Sequence, residues 1–388
     1  MLKKILNLIY TYFNNKELLT IFALLIKISK KIRYKMKKHN FNAGPSILPS
    51  EVIEDASRAI INLNKKGLSL LEISHRSKDF ISIMDEACSL SLELTGLSNN
   101  GYKALFLQGG ASLQFLMVAY NFLKTKAGYI NTGTWSEKAI KEAKLFGEVV
   151  EIASSKNKNF NYIPKEIETE DVFDYIHLTT NNTIFGTQFQ NIPKINSRLF
   201  ADMSSDIFSR TIDYSKFDLF YAGAQKNAGP AGTTIVIINE SLLTEIKKNI
   251  PSMLNYKTHF DKESMFNTPP VFSIYTTMLN LRWIKKNGGI KNLEKRNREK
   301  ANLIYNEIDT NSKFVGFAEK DDRSFMNVTF NLINPKEKDI FDKICEENNI
   351  VGINGHRSVG GYRASIYNAM PIESVQILVN CMKKLEKK

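Results

Sequence analysis

One lysine stands among small residues just past the middle of the chain. The run Tyr221–Gly232 reads YAGAQKNAGPAG, and it places Lys226 directly after the apolar segment 217–222. The Gly and Ala neighbours leave room for a flat ring beside the amine. A lysine in this setting can form an imine with an aldehyde cofactor, and we interpret Lys226 as the residue that binds pyridoxal phosphate. Alone, the string also fits a surface lysine in a glycine-rich turn, so the interpretation depends on other residues.

An acid that this chemistry needs lies upstream. Asp202 ends a short apolar run that begins at Leu199. A carboxylate against the pyridine nitrogen keeps that nitrogen protonated, so the ring can take up electrons from the substrate. The distance from Asp202 to Lys226 suits two neighbouring strands and their connection, which would bring both residues to the carboxyl ends of one sheet. An Asp after a strand is often only a helix cap, but the pairing with Lys226 favours the cofactor role.

The cofactor phosphate needs an anion site, and the chain offers a glycine-rich turn. Gln108-Gly109-Gly110-Ala111-Ser112 follows an apolar run and precedes a helical pattern. Free backbone N–H groups at the start of that helix would bind an anion. Farther on, Trp135 follows another apolar run and would stack on the cofactor ring, although ordinary core packing is the commoner use of a tryptophan.

Together these motifs resemble the phosphoserine aminotransferase family, within the class V aminotransferases. The resemblance covers about residues 40 to 384, and the strings that carry it are FNAGP from Phe41, ISHR ending at Arg76, QGGAS from Gln108, AGAQKN around Lys226, SMFNTPP from Ser264 and GHRSVGGYRASIYNAMP from Gly355. It implies an α/β protein of the pyridoxal-phosphate-dependent transferase fold type I. A large domain would hold a mostly parallel sheet flanked by helices, followed by a smaller C-terminal α/β domain.

The resemblance also implies roles that spacing alone does not give. Ala111 and Ser112 would bind the cofactor phosphate through backbone amides, and Gln225 would join that shell. Trp135 would stack on the ring, and Thr183 would contact its phenolic oxygen. One pyridoxal phosphate is expected per subunit, and no metal is expected.

The resemblance further implies that two subunits share each site. Asn267 and Thr268 would reach the cofactor phosphate of the other subunit, so the active unit would be a homodimer. The remaining partners would be small anionic substrates, with no nucleic acid and no membrane.

Substrate binding is predicted from charge, because a substrate with a carboxylate and a phosphate calls for arginine forks. The positions that match the family are His75-Arg76, His356-Arg357 and Arg363. We expect Arg363 to bind the α-carboxylate and the His-Arg pairs to bind the phosphate. A surface ion pair is the commoner use of an arginine, but the motif context favours the site.

The implied reaction is a reversible amino transfer between glutamate and 3-phosphohydroxypyruvate, which gives O-phospho-L-serine and 2-oxoglutarate in serine biosynthesis. It would follow a ping-pong mechanism through a Lys226 aldimine, and the same groups would serve 4-phosphohydroxy-L-threonine formation in pyridoxine biosynthesis. Another class V enzyme, such as a cysteine desulfurase or an alanine:glyoxylate type aminotransferase, stays open. So does a basic membrane-surface or nucleic-acid-binding protein that has lost catalysis. None of the three cysteines lies in a Gly/Ser-rich loop, as a desulfurase requires, and the joint presence of Lys226 and Asp202 disfavours a protein without catalysis.

Composition suggests an ordinary enzyme subunit, and charge distinguishes residues 1–35 from the rest of the chain. The net charge of +13 is concentrated in residues 1–35, where eight Lys and Arg residues face one acid, Glu17. Met36 fits a natural amino terminus, so this basic extension is interpreted as a misplaced start, a tail without function or a targeting segment. Cys88, Cys345 and Cys381 have no metal-binding spacing, which favours a reduced, cytoplasmic protein.

Four regions are expected along the chain. They are the extension 1–35, a segment 36–49 near the active site, a large cofactor domain 50–289 and a small domain 290–388. Apolar runs predict strands over 104–107, 128–131, 175–178, 198–201, 219–222, 234–238, 326–332 and 363–366. Helical patterns cover 290–308 and 336–348, and the glycine pair at 288–289 is the expected hinge.

Overall fold

The computed structural model describes residues 38–387 apart from 168, 247 and 248. The basic extension 1–35 therefore lies outside the described residues, as do the first two positions of the segment 36–49. None of the helices in the described residues is long and apolar enough to cross a membrane.

Strands and helices alternate along most of the chain, as the apolar runs predict. The strands are β1 (His39–Asn40), β2 (Tyr102–Leu107), β3 (Lys126–Asn131), β4 (Glu148–Ser154), β5 (Ile176–Thr179), β6 (Asn181–Asn182), β7 (Thr187–Gln188), β8 (Leu199–Asp202), β9 (Leu219–Gly223), β10 (Thr234–Asn239), β11 (Phe314–Gly316), β12 (Asn327–Leu332), β13 (Ile350–Val351) and β14 (Tyr362–Ser365). The helices are α1 (Ser50–Ile61), α2 (Lys78–Thr95), α3 (Gly110–Phe122), α4 (Thr134–Ala143), α5 (Tyr256–Asp261), α6 (Val271–Lys286), α7 (Gly289–Thr310), α8 (Lys338–Glu347) and α9 (Ile372–Glu386).

A seven-stranded sheet forms the centre of the larger unit. Its strand order is β2-β10-β9-β8-β5-β3-β4, and only β10 runs antiparallel to its neighbours. The predicted mostly parallel sheet is therefore confirmed. Because the other strands point the same way, their carboxyl ends meet along one edge, and the connections after them meet there too.

Helices cover both faces of this sheet, which explains why its central strands are buried. Every residue of β5 and of β9 is buried, as expected for strands of a parallel sheet with two covered faces. On one face α1, α2 and α6 pack together around residues such as Phe80 and Met278. On the other face α3 and α4 pack around Phe115 and Ile140.

The smaller unit has its own core and takes in both ends of the described chain. β11, β12 and β14 form an antiparallel sheet, against which α8 and α9 pack around Phe330, Phe341 and Tyr362. Strand β1 pairs in parallel with β13, so the first described residues belong to this unit. Helix α7 begins in the large core at Ile290 and continues into the small core, which it reaches at Ala301.

Candidate active site

The carboxyl edge of the large sheet brings the lysine and the acid together. Asp202 is the last residue of β8, and Lys226 lies in the turn after the neighbouring strand β9. Asp202 pairs directly with Tyr221 across these two strands and with Thr179 on its other side. Thr183 enters the same site from the chain that follows β5. The sheet order therefore places these side chains at one point.

The Lys226 amine is buried and points at a hydroxyl group. Its Nζ donates to Thr183 Oγ1 at 2.7 Å. Burial lowers the pKa of Lys226 to about 8, with the charge of Arg363 acting in the same direction and Asp202 acting against it. A lysine with this pKa is partly neutral near neutral pH, so its amine can act as a nucleophile or as a base.

The backbone around Lys226 is held from a distant part of the sequence. Ser46 Oγ donates to the Lys226 carbonyl at 2.6 Å, and the Ser46 amide donates to the Gln225 carbonyl at 2.9 Å. Gly44 passes so close that a Cβ there would lie 3.4 Å from Lys226 Cγ, and its φ of +146° also favours glycine. The segment before α1 thus forms part of the wall of the site.

Asp202 is buried, and a neighbouring serine holds one of its oxygens. Its Oδ1 accepts from the Ser204 amide at 2.9 Å and from Ser204 Oγ at 2.6 Å. Burial raises the pKa of Asp202, while the positive charge of Lys226 and the Ser204 hydrogen bonds oppose that rise. Both Ser204 bonds go to Oδ1, which leaves Oδ2 to face a positively charged or N–H partner.

Trp135 presents an indole beside the lysine. The Lys226 Nζ lies 5.7 Å from the centroid of the Trp135 ring. The indole Nε1 is buried, and no group in the described part of the chain accepts its hydrogen bond. A donor left this way is costly unless a ligand accepts from it, so the indole edge indicates a bound polar group.

The glycine-rich turn opens a helix without a side-chain cap. Gly109 has a φ of +90°, and a Cβ there would approach Leu113 Cδ2 to 2.5 Å, so glycine is required at this position. Helix α3 starts at the next residue, with Ala111 and Ser112 in its first turn. The backbone N–H groups of a first turn have no acceptor within the helix, which makes this end an anion site.

The segment that carries Asn267 and Thr268 is attached to this turn. Gln108 Nε2 donates to the Thr268 carbonyl at 3.0 Å, and Ser264 Oγ accepts from the Phe106 amide at 3.0 Å. Asn267 lines a cavity of about 30 Å³ beside Gln108. Asn267 and Thr268 therefore lie next to the glycine-rich turn 108–112 of their own chain, which we call the anion turn.

Basic residues of the smaller unit reach the same site. Arg363 Nη1 donates to the Thr183 carbonyl at 3.3 Å, and its Nε is buried without a partner among the described residues. Burial lowers the pKa of Arg363. The pKa of His356 is also lowered, first by burial and then by the positive charges of Arg363, Arg357 and Lys138. The structure thus groups Arg363 with the His356-Arg357 pair near Lys226.

The His75-Arg76 pair makes no contact with Lys226 among the described residues of one chain. Both residues lie in the turn before α2, and the Arg76 amide donates to Ser74 Oγ at 3.2 Å. Across residues 38–387, apart from residues 168, 247 and 248, no hydrogen bond, ion pair or ring contact links either residue to Lys226.

Comparison with known proteins gives a consistent family. The Aminotransferase class-V family model matches residues 38–378. A phosphoserine aminotransferase of Flavobacterium johnsoniae is 61% identical over 355 residues, which is 91% of this chain and 100% of that protein. This chain belongs to the phosphoserine aminotransferase family of class V aminotransferases. The predicted family, and with it an enzyme that depends on pyridoxal phosphate, is confirmed.

Solved structures of other members of this family share the fold. The phosphoserine aminotransferase from Bacillus circulans subsp. alkalophilus superposes with a TM-score of 0.88 at 46% identity, covering 90% of this chain and 99% of that one. The pyridoxal-phosphate-bound phosphoserine aminotransferase from Trichomonas vaginalis gives a TM-score of 0.84 at 34% identity, covering 89% and 100%. The predicted fold type I is therefore confirmed in this aminotransferase.

The residues present in this aminotransferase fit pyridoxal phosphate. A buried amine, a carboxylate with a free oxygen, an indole with an unpaired N–H and an uncapped helix start surround one point. These groups complement the aldehyde, the pyridine nitrogen, the polar ring substituents and the phosphate of the cofactor. We take Lys226, Asp202, Trp135 and the first turn of α3 as the groups that would hold it.

Two supporting residues were missed by the sequence analysis. Ser204 holds Asp202, and Tyr367 donates from its hydroxyl to the Ala43 carbonyl at 2.7 Å, which joins the smaller unit to the segment beside Lys226. An acid followed two positions later by a serine is a local signal that could have indicated Ser204. No local signal indicates Tyr367, because its partner lies at the other end of the described chain.

Proposed function

We propose that this enzyme transfers an amino group reversibly between glutamate and 3-phosphohydroxypyruvate, giving O-phospho-L-serine and 2-oxoglutarate. The observation that carries the proposal is the group of basic residues, Arg363, His356 and Arg357, beside Lys226. None of the three forms an ion pair with a carboxylate in the described part of the chain. Unpaired positive charge at a catalytic site selects substrates with several negative charges.

Lys226 and Asp202 perform the chemical roles of the proposal. Bound pyridoxal phosphate supplies an aldehyde that carries the amino group and a ring that accepts electrons. The Lys226 amine then removes and returns the substrate α-proton, which a pKa of about 8 permits near neutral pH. Asp202 would hold a proton at the ring nitrogen of the bound cofactor. Thr183 would orient the lysine amine and bind the phenolic oxygen of the cofactor ring.

In this proposal, different basic residues bind different charged groups of the substrate. Arg363 is the deepest, because it contacts the carbonyl of Thr183, the residue that binds the Lys226 amine. We propose that Arg363 binds the α-carboxylate and that His356 and Arg357 bind the phosphate. Glutamate carries its second negative charge at a comparable distance from its α-carbon, so one set of basic residues serves both substrates. Since the amino donor and the keto-acid acceptor share one site, they react in turn, which is the ping-pong order.

We also propose that the active unit is a homodimer. The anion turn of α3 lies next to Asn267 and Thr268, and we propose that these residues reach the cofactor phosphate of a second copy, as Ala111, Ser112 and Gln225 do within their own chain. His75 and Arg76 make no contact with Lys226 in the described chain, so we assign them to the substrate phosphate of the second copy. The site would then be complete only in the dimer.

The same groups accept a related substrate. A longer substrate with the same α-carboxylate and terminal phosphate would use Arg363 and the His356-Arg357 pair in the same way. We therefore propose that the enzyme also forms 4-phosphohydroxy-L-threonine for pyridoxine biosynthesis. A cytoplasmic location for both reactions belongs to this proposal.

A steady-state assay tests the function. The purified enzyme should form 2-oxoglutarate from glutamate and 3-phosphohydroxypyruvate, and Lys226→Ala should reduce the rate to background because the base is lost. In the reverse direction, phosphoserine should be used and serine should not. Equal use of serine and phosphoserine would overturn the phosphate assignment, and an active Lys226→Ala variant would overturn the role of Lys226.

A further inference from the structure

Another cation, Lys138, stands beside the basic residues of the site. Its Nζ lies 4.6 Å from the centroid of the Trp135 ring, the same ring that the Lys226 Nζ approaches to 5.7 Å. Lys138 follows Trp135 by three positions on α4, so the two side chains share one face of the helix. The ammonium group of Lys138 therefore lies beside the indole that borders Lys226.

Lys138 forms no ion pair among the described residues, whereas its neighbour Glu137 does. Glu137, one position earlier, binds Lys156 Nζ at 2.9 Å. Lys138 is exposed and forms no ion pair with any carboxylate among the residues that the structure describes. Its contact with the indole face neutralises no charge, because a ring quadrupole attracts a cation without supplying a counter-ion.

The positive charge of Lys138 adds to that of the smaller unit. It is one of the charges that lower the pKa of His356, together with Arg363 and Arg357. Like charges repel, so the unpaired charges of Lys138, Arg357 and Arg363 are unfavourable together without an anion. A bound anion with more than one negative charge would turn that repulsion into attraction.

We propose that Lys138 is a further specificity-determining residue, whose ammonium group binds the phosphate of the substrate. The proposal rests on the proposed function and extends it to a residue from the larger unit. Arg363 lies deeper, beside Thr183, and takes the α-carboxylate. The substrate phosphate then lies between Lys138 and the His356-Arg357 pair.

If Lys138 had a purely structural role, its aliphatic side chain would only pack on the Trp135 indole. Lys138→Met separates the two roles, because methionine keeps an unbranched apolar chain over the ring but carries no charge. Lys138→Arg restores the charge. Lys141→Met serves as the matched control, since Lys141 is an exposed lysine on the same helix.

The first readout compares two amino donors on the cofactor-loaded enzyme. For Lys138→Met we expect the KM of O-phospho-L-serine to rise about tenfold, the size of one lost hydrogen bond to a charged group. The KM of glutamate should rise much less, because its distal carboxylate carries less negative charge than a phosphate. Lys138→Arg and Lys141→Met should stay near wild type. Equal changes for the two donors, or no change for either, would overturn the proposal.

The second readout does not depend on turnover. Calorimetric titration with 3-phosphoglycerate, which has the carboxylate and phosphate but no amino or keto group, should give an affinity about tenfold weaker for Lys138→Met. Equal binding by wild type and variant, or no binding by wild type, would contradict the Lys138 assignment. A wild type that binds 3-phosphoglycerate but does not turn over phosphoserine would refute the proposed function alone.

Discussion

At the scale of single residues, the site depends on two charges that influence each other without a direct bond. The Lys226 amine donates to Thr183, and Asp202 accepts from Ser204. Each residue nevertheless influences the pKa of the other. Asp202 opposes the fall in the pKa of Lys226, and Lys226 opposes the rise in the pKa of Asp202. Because their hydrogen bonds go elsewhere, both side chains remain available to a ring that binds between them.

The Lys226 amine should titrate in an unusual range. Burial disfavours its charged form, so in the cofactor-free protein it should become neutral at a pH of about 8 rather than near 10.5. We expect its labelling by an amine-specific reagent, measured by mass spectrometry, to rise through that pH and then level off.

One variant makes this titration specific. Asp202→Asn should move the Lys226 midpoint lower because the opposing carboxylate is gone. A Lys226 midpoint that stays near 10.5 would contradict the burial argument.

At the scale of elements, helix α7 supports the strand that carries Arg363. Lys300 of α7 is buried, and its Nζ donates to the carbonyls of Ile366 at 2.9 Å and Tyr367 at 2.7 Å. Burial lowers the pKa of Lys300 well below its usual value, with the charge of Arg296 acting in the same direction. Lys300 thus fixes the backbone that follows β14, from which Tyr367 reaches the segment beside Lys226.

The stability of the protein should depend on pH because Lys300 is buried. The folded state releases the Lys300 proton at lower pH than the unfolded state does, so the stability from this group rises with pH above the folded pKa. Wild type should therefore gain free energy of unfolding relative to Lys300→Met between pH 7 and 9.5, by at most about 1.4 kcal/mol per pH unit, and the difference in Tm should grow accordingly.

Lys295→Met, which removes an exposed lysine from the same helix, serves as the control. If the difference in Tm between wild type and Lys300→Met is the same at both pH values, the buried-lysine account is wrong.

The elements also show what local sequence can predict. The runs 198–201 and 219–222 predicted strands because both faces of a parallel strand are buried, and β8 and β9 lie there. The antiparallel direction of β10 and the pairing of β1 with β13 were not predicted, since neither leaves a local pattern. Lys226 and Asp202 were predicted from strand ends, whereas Lys300 and Tyr367 act through distant backbone groups.

At the scale of the whole molecule, the site is built between two cores. The large sheet supplies Lys226 and Asp202, and the smaller unit supplies Arg363 and His356. The first described strand belongs to the smaller unit, and the chain then runs past Lys226 into α1. Movement of the smaller unit would therefore change the proposed substrate contacts of Arg363 and His356 while it leaves the lysine and the acid in place.

Mixing two inactive variants tests the shared site of the proposed dimer. Lys226→Ala lacks the lysine, and a subunit with Asn267→Ala and Thr268→Ala lacks the groups proposed to reach across. A mixed dimer would contain one intact site, so refolding the two variants together should restore about a quarter of wild-type activity. Each variant refolded alone serves as the control. No recovery from a mixture that forms mixed dimers would contradict the shared site.

The most direct test of the central claim is the absorbance of the cofactor-loaded enzyme during the two half-reactions. Phosphoserine alone should change the spectrum of the bound cofactor, and later addition of 2-oxoglutarate should restore it, because the amino group passes through one site in two steps. A spectrum that responds to glutamate but not to phosphoserine would contradict the account of the basic residues around Arg363.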